Sequence, residues 1–174
     1  ELIGTAKALL RLYDREQEGR VLLKELTERE RFIKSLVDAA PSTVYLYDLR
    51  EQRNLYTNAR SGATLGYAAD ELQFVGRATL QEWVHPDDRS LVMAQLAQLP
   101  DQADGQVLEF ECRVQHRSKE WRWVLCRNVV FSRDETGQPL QILGTALDIT
   151  HRKQQAAVLR RGKDQQALLM EISR

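Results

Sequence analysis

The sequence has little of what most chemistry requires. Its two cysteines, Cys112 and Cys126, stand in strand-like runs without CxxC spacing, which leaves neither a paired metal site nor a redox motif. Buried free thiols in a reducing compartment are the expectation instead. Three histidines, His85, His116 and His151, are scattered, and none has a second ligand type at metal spacing. Nine glycines include Gly62 and Gly66, which fall short of a phosphate-cradling GxGxxG loop. No apolar run approaches the eighteen or so residues of a membrane span, and the N-terminus carries no signal-peptide block. Charge of neither sign prevails, since 25 basic and 25 acidic residues cancel; a nucleic-acid surface usually shows a strongly basic face. These absences point to a soluble, non-catalytic stretch without membrane contact, for which a cytoplasmic location is expected. Because the chain begins with Glu1 rather than Met, it reads as an excerpt of a longer protein.

What is there suffices for one core plus extensions: 174 residues, 43% of them hydrophobic. Residues 1–40 hold no proline before the end and are rich in Leu, Glu, Arg and Lys, a composition that favours helix. Leu22, Leu26, Ile33, Leu36 and Ala40 fit a seven-residue frame, with Leu12 further upstream. The spacing predicts a helical linker and candidate coiled coil that dimerises through Leu22, Leu26, Ile33 and Leu36. Arg29 and Gly19 occupy seam positions, whereas Leu9, Leu23 and Val37 follow a second register. A helix lying on its own domain is the alternative, because Phe32 and Val37 broaden the apolar face near its end. Gly19 leaves its continuity open, and Pro41 should stop it.

Residues 41–150 change character. Val44–Leu49 and Leu55–Asn58 read as a hairpin. Asn58 or Ser61 could cap a short helix that Gly66 stops. Pro86, with Asp87 and Asp88 beside it, opens a helix towards Leu99, whose buried side would carry Leu91, Val92, Leu96 and Leu99. In LEFECRVQ, Leu108, Phe110, Cys112 and Val114 share one face. The runs from Glu120 to Ser132 and from Leu140 to Ile149 are apolar on both faces, so each needs cover on both sides. The second should be a central strand, its Gly144 marking a close approach. Two strands, short helices and three more strands predict an α+β fold: a five-stranded antiparallel sheet with helices over one face, able to hold a small ligand between them. Residues 151–174 return to a basic, weakly amphipathic helix with Ala156, Leu159, Leu169 and Met170 as its apolar members, marginal without a partner.

The runs VYLYDLREQRNLYTN, LGYAADEL, WVHPDD, KEWRWVLCR and ILGTALDITHRK, in this order over residues 41–153, resemble a PAS domain of the kind found in bacterial sensor histidine kinases and related two-component signalling proteins. The resemblance implies the PAS fold, a parallel homodimer formed through the preceding helix, and a part in sensing or relaying a signal to adjacent domains. ALLMEISR, Ala167–Arg174, is similar to the lead-in of a GAF domain; a kinase is the other candidate neighbour. Flavin-binding light sensors of the family carry a cysteine where this chain has GRATLQ, Gly76–Gln81, so no photoadduct is expected. Haem-binding members carry a histidine on the long helix, where Ser90–Gln98 has none. His85 could serve a haem only from inside a pocket and is better read as a helix-start residue. No cofactor is predicted, and an unidentified small ligand stays open.

The joint GTALDITHRK, Gly144–Lys153, runs from a central strand into a helix without a loop. Asp148 at the strand end needs a basic partner, with Arg122 the expected one and Arg152 the alternative. Thr150 is expected to cap the next helix through its hydroxyl, and Ile149 to plug into apolar surface. Asp148, Ile149, Thr150 and Arg122 are thus the candidate relay; mere strand termination and helix capping is the competing reading. The competing function is a ligand-free spacer that only dimerises.

Overall fold

The computed structural model describes residues 2–72 and 82–172; the side chains of 2–3, 5–10 and 167–172 are outside this description, as are Gly76–Gln81 and the expectations placed on Leu9, Leu169, Met170 and the end of the ALLMEISR run. Two units are distinct, residues 1–39 and 40–174.

The first is a helix, α1 (Leu2–Asp38), of 37 residues. It runs through Gly19 without a break, because an exposed mid-helix glycine costs only about 1 kcal/mol against the summed propensity of its neighbours. It ends at Asp38, just ahead of Ala40, whose helical backbone Pro41 disfavours.

The second unit is built on strands β1 (Thr43–Asp48), β2 (Arg53–Thr57), β3 (Leu108–Gln115), β4 (Trp121–Arg133) and β5 (Pro139–Asp148). They form one antiparallel sheet in the order β2-β1-β5-β4-β3. β5 is therefore central, as its two apolar faces require. Gln52 and Lys119 take positive φ in the β1–β2 and β3–β4 turns. Between β2 and β3 lie α2 (Ser61–Leu65), α3 (Ala69–Leu72), a 3-10 turn at Pro86–Asp88, α4 (Arg89–Leu96) and a second 3-10 turn at Leu99–Asp101. Helix α5 (Thr150–Ile172) leaves β5 with Ile149 alone between them.

Several local expectations change. The helix from Pro86 towards Leu99 is three pieces, and Pro100 imposes the last break. Leu99 is buried and Val92 and Leu96 are half-buried against the core, whereas Leu91 points outwards, 45% exposed. The cap position of α2 is Arg60, which makes no side-chain cap bond. Asn58 accepts from Val44 N at 2.9 Å and donates to Ser42 O at 3.1 Å, and Ser61 donates to Tyr67 O; both side chains pin the hairpin and loop. Gly66 does end α2, at φ 80°, where any Cβ would sit within 2.6 Å of the His116 ring.

The core lies between the sheet and its helices. Tyr47, Leu108, Val130 and Ile142 pack with Leu99, while Cys112, Val124 and Cys126 pack with Val92 and Ala146. The other face of the sheet carries Leu46, Leu143 and Val129 in register, then Leu125 beside Leu147. These are half-buried, and Phe131 on the same strand is 59% exposed. Trp123 is held between cations: Lys153 Nζ of α5 lies 4.6 Å and Arg113 Cζ 5.3 Å from its ring centre.

Candidate functional site

The inside of the cup and the β5–α5 joint both gather polar groups against apolar packing. In the cup, register sets Tyr45 opposite Gly144, and Gly144 opposite Asn128. With no Cβ at Gly144, the Tyr45 ring lies flat across the strand; a methyl there would come within 2.2 Å of Cζ. Tyr45 Oη reaches Asn128 Oδ1 at 2.7 Å, and Asn128 is 1% exposed. Burial drives the Tyr45 phenol well above its ordinary range, so it is a neutral donor. Beside it, a hydrogen bond with Cys112 and then burial push the Cys126 thiol up. A protonated buried thiol is a poor nucleophile and metal ligand. Among the described residues, no three His, Cys, Asp or Glu side chains stand where they could hold a metal.

Both ring nitrogens of His85 have protein neighbours. Its Nδ1 accepts from Asp87 N at 3.3 Å, its Nε2 lies 3.5 Å from Arg113, and its ring meets Trp121 edge-on. Those contacts serve the start of the Pro86 turn. Asp88, at the same turn, accepts from Arg113 Nη2 at 2.7 Å, Arg113 Nε at 2.9 Å and Arg113 N at 2.8 Å. The Arg113 side-chain hydrogen bonds outweigh burial and hold the Asp88 carboxyl below its usual range. This clamp ties the helical segment to β3.

The joint is denser. Asp148 Oδ2 accepts from Arg122 Nη1 at 3.0 Å, and Asp148 Oδ1 accepts from Thr150 N at 2.9 Å. Burial alone would raise the Asp148 carboxyl, but the bonds from Thr150 and Arg122 together hold it below its ordinary value. It is an anion with partners on two elements. Arg122 Nη1 also donates to Ala63 O of α2 at 3.3 Å, so one guanidinium joins the helical side of the cup to the end of the central strand. Trp123 brackets the joint through its backbone: its N–H donates to Thr150 Oγ1 at 3.0 Å and its C=O accepts from Ile149 N at 2.8 Å. Ile149, 4% exposed, is the plug.

The geometry corrects the expected role of Thr150. Its hydroxyl does not satisfy its own helix; it accepts from β4 while the Asp148 carboxylate takes the first helical N–H. The reason is position: Thr150 is already inside α5, and the free N–H groups of a first turn are reached by a side chain just before it. Arg152, the alternative partner for Asp148, pairs with Glu111 Oε1 at 2.7 Å, and Lys153 pairs with Glu111 as well. These pairs carry the first turn of α5 onto β3. The link from Arg122 to α2 was not foreseen, because nothing in a sequence marks a backbone carbonyl as an acceptor. A surface cleft lined by Glu120, Trp121, Arg122, Asp148, Thr150, His151 and Gln154 opens over the joint. On α1, Leu22, Leu26, Ile33 and Leu36 are each more than half exposed.

A 2-1-5-4-3 antiparallel sheet with short helices crossing one face and a helix leaving its central strand is the architecture of a PAS domain. A family model described as the PAS fold matches residues 54–146, more than half of the chain, and the chain belongs to that family. It is similar to the two-component sensor PprA of Pseudomonas aeruginosa, 28% identical over 147 residues, which are 81% of this chain and 15% of that protein. The chain thus spans about a seventh of that relative's length. Among solved structures it resembles a sensory box histidine kinase/response regulator from Burkholderia thailandensis, at a TM-score of 0.61 and 24% identity over 78% of this chain and 97% of the other. It also resembles the N-terminal domain of a diguanylate cyclase with PAS/PAC sensor from Marinobacter aquaeolei, at 0.55 and 19% identity, covering 64% and 98%. These likenesses are of fold. Among the described residues no helix is long and apolar enough to cross a membrane.

Proposed function

We propose that this chain is the sensory and relay module of a multidomain cytoplasmic signalling protein, itself non-catalytic, working as a parallel homodimer and passing a conformational signal through α5 to a following domain such as a GAF domain or a kinase. The observation that carries the reading is the Asp148 carboxylate, which bonds β4 through Arg122 and the first amide of α5 at once. With Ile149 as the single intervening residue, a shift of the sheet or of α2 is transmitted to the helix start without slack. Names of similar proteins agree in kind: a two-component sensor, a sensory box histidine kinase and a diguanylate cyclase sensor. Replacing Asp148 with Ala in the full-length protein should separate output from input while the fold, read by circular dichroism, stays. Signalling that responds as before would end the relay assignment.

The spacer reading has one observation in its favour. Tyr45 and Asn128 satisfy each other across Gly144, so the cup is packed by its own side chains, and we propose no resident cofactor. A spacer would still dimerise; light scattering on dilution tests that part, and native mass spectrometry of protein from its own host tests the cup for a small ligand.

A further inference from the structure

The Pro86–Asp88 turn is stitched to the edge of β3. Val84 bridges Val114, and the His85 N–H donates to the Arg113 C=O at 2.9 Å. The Asp88 carboxylate accepts from the Arg113 backbone N–H at 2.8 Å and from its guanidinium at 2.7 and 2.9 Å. Asp87, which is exposed, adds one contact of 3.3 Å to the same guanidinium. Arg113, so fixed, lies opposite Trp123 in the β3–β4 register, with its Cζ 5.3 Å from the ring centre. A second cation at that ring is Lys153 Nζ, at 4.6 Å, from the first turn of α5. Lys153 is paired with Glu111, which stands two residues before Arg113 on the same face of β3. Each cation thus has its own anion, and both share one ring.

From this arrangement we infer that Arg113, Trp123 and Lys153 form a second line into the start of α5, by which the attachment of the Pro86 turn to β3 sets how firmly that helix is held. The inference rests on the relay proposed above for its output. Its input is a different element, the Pro86 turn and the α4 helix behind it, rather than α2. While Asp88 holds Arg113, Glu111 pairs with Arg152 and Lys153, and the first turn of α5 is tied to β3. When the turn lifts from the strand its carboxylates leave with it, and the Arg113 guanidinium stands beside Trp123 without an anion. Glu111 lies two residues away along the strand, roughly 7 Å, a distance that a long arginine stem spans. The pairs that Glu111 makes are partly exposed, and such pairs exchange partners at little cost. Arg113 then takes Glu111 from α5, and the like charge of Lys153 is driven from the shared ring. Trp123 is the positioning residue of this exchange. Its ring seats both cations, while its backbone carries Thr150 and Ile149. The exchange supplies the two discrete arrangements that coupling between separate elements requires.

Hydrogen exchange of the Lys153 amide in the 174-residue chain tests this. Asp88→Asn should quicken it about tenfold, within the range of coupled networks, as Arg113 displaces α5 from Glu111. Glu111→Gln should quicken it to a similar extent, and Asp88→Asn added to Glu111→Gln should change it further by less than about twofold. Asp87→Asn removes the same charge from the same turn but leaves the Asp88 clamp, so it too should change the rate by less than about twofold. Trp123→Leu should quicken exchange without any change at the turn, and Trp123→Phe should keep most of the protection because a ring remains. Equal quickening by Asp88→Asn with and without Glu111 would assign the effect to general loss of stability. An equal effect of Asp87→Asn would assign it to charge acting at a distance. Either result overturns the inference, as does an unchanged rate in Asp88→Asn or in Trp123→Leu. These rates do not depend on output in the full-length protein, so their failure leaves the Asp148 relay standing, and a failed relay leaves them unchanged.

Discussion

Gly144 shows how one hydrogen atom in place of a methyl shapes a cup. The Tyr45 ring occupies the space a side chain would fill, and its hydroxyl closes on Asn128. Gly144→Ala should overpack this contact and cost about 1–3 kcal/mol, measured by urea denaturation. Tyr45→Phe should cost about 1–3 kcal/mol for a different reason, the buried Asn128 oxygen left without its donor. Gly144 was legible in the sequence as a place of close approach, because glycine in a central strand weakens it without some return. That Tyr45 was the approaching group was not, since strand parity cannot tell which side of a hairpin faces inwards. At the joint, Thr150→Val should cost about 1–2 kcal/mol by stranding the Trp123 N–H, while Thr150→Ser, which keeps the hydroxyl, should cost much less. Helix capping by Thr150 alone would instead leave the Trp123 amide exchange unchanged in both variants.

At the level of elements, α5 is unevenly held. Its first turn is bonded to β4 through Trp123 and to β3 through Glu111, whereas Val158 and Leu159 further along are 68% exposed. Native-state hydrogen exchange should therefore find protected amides at Ile149, Thr150 and Lys153 and rapid exchange beyond Val158. In Asp148→Ala the protection at Thr150 should fall while that of β4 and β5 persists. Uniform protection along α5 in the isolated chain would contradict this division. The elements were largely readable because their patterns are strong: strict alternation in β3, β-branched runs in β4 and β5, and Pro86 with two acids at a helix start. The break of the long helix at Leu96 and the desertion of Leu91 from the core were not readable. They depend on Pro100 and on how α4 meets β3, both decided by tertiary packing rather than by period.

For the molecule as a whole, acid is the natural probe. Asp88 and Asp148 are held below the ordinary carboxyl range by the Arg113 bonds and by the Thr150 and Arg122 bonds that overcome burial. The unfolded chain binds those protons more readily, so the stability they contribute is full above the unfolded carboxyl range, about pH 4, and is lost as pH falls through the lower folded values. Asp88→Asn should thus be less stable than the parent at pH 7, and the two should converge towards pH 2. A gap of constant size across that range would assign the loss to packing. The charge balance of the chain hid both clamps, because pairing between Asp88 and Arg113, 25 residues apart, follows from the turn of the chain and not from composition. The relay is a claim about the same scale, since it asks whether sheet and helix move together. Inserting Gly-Gly between Ile149 and Thr150 in the full-length protein measures this most directly: a relay predicts a folded, dimeric protein whose output no longer follows its input, and a response equal to the parent's would contradict it.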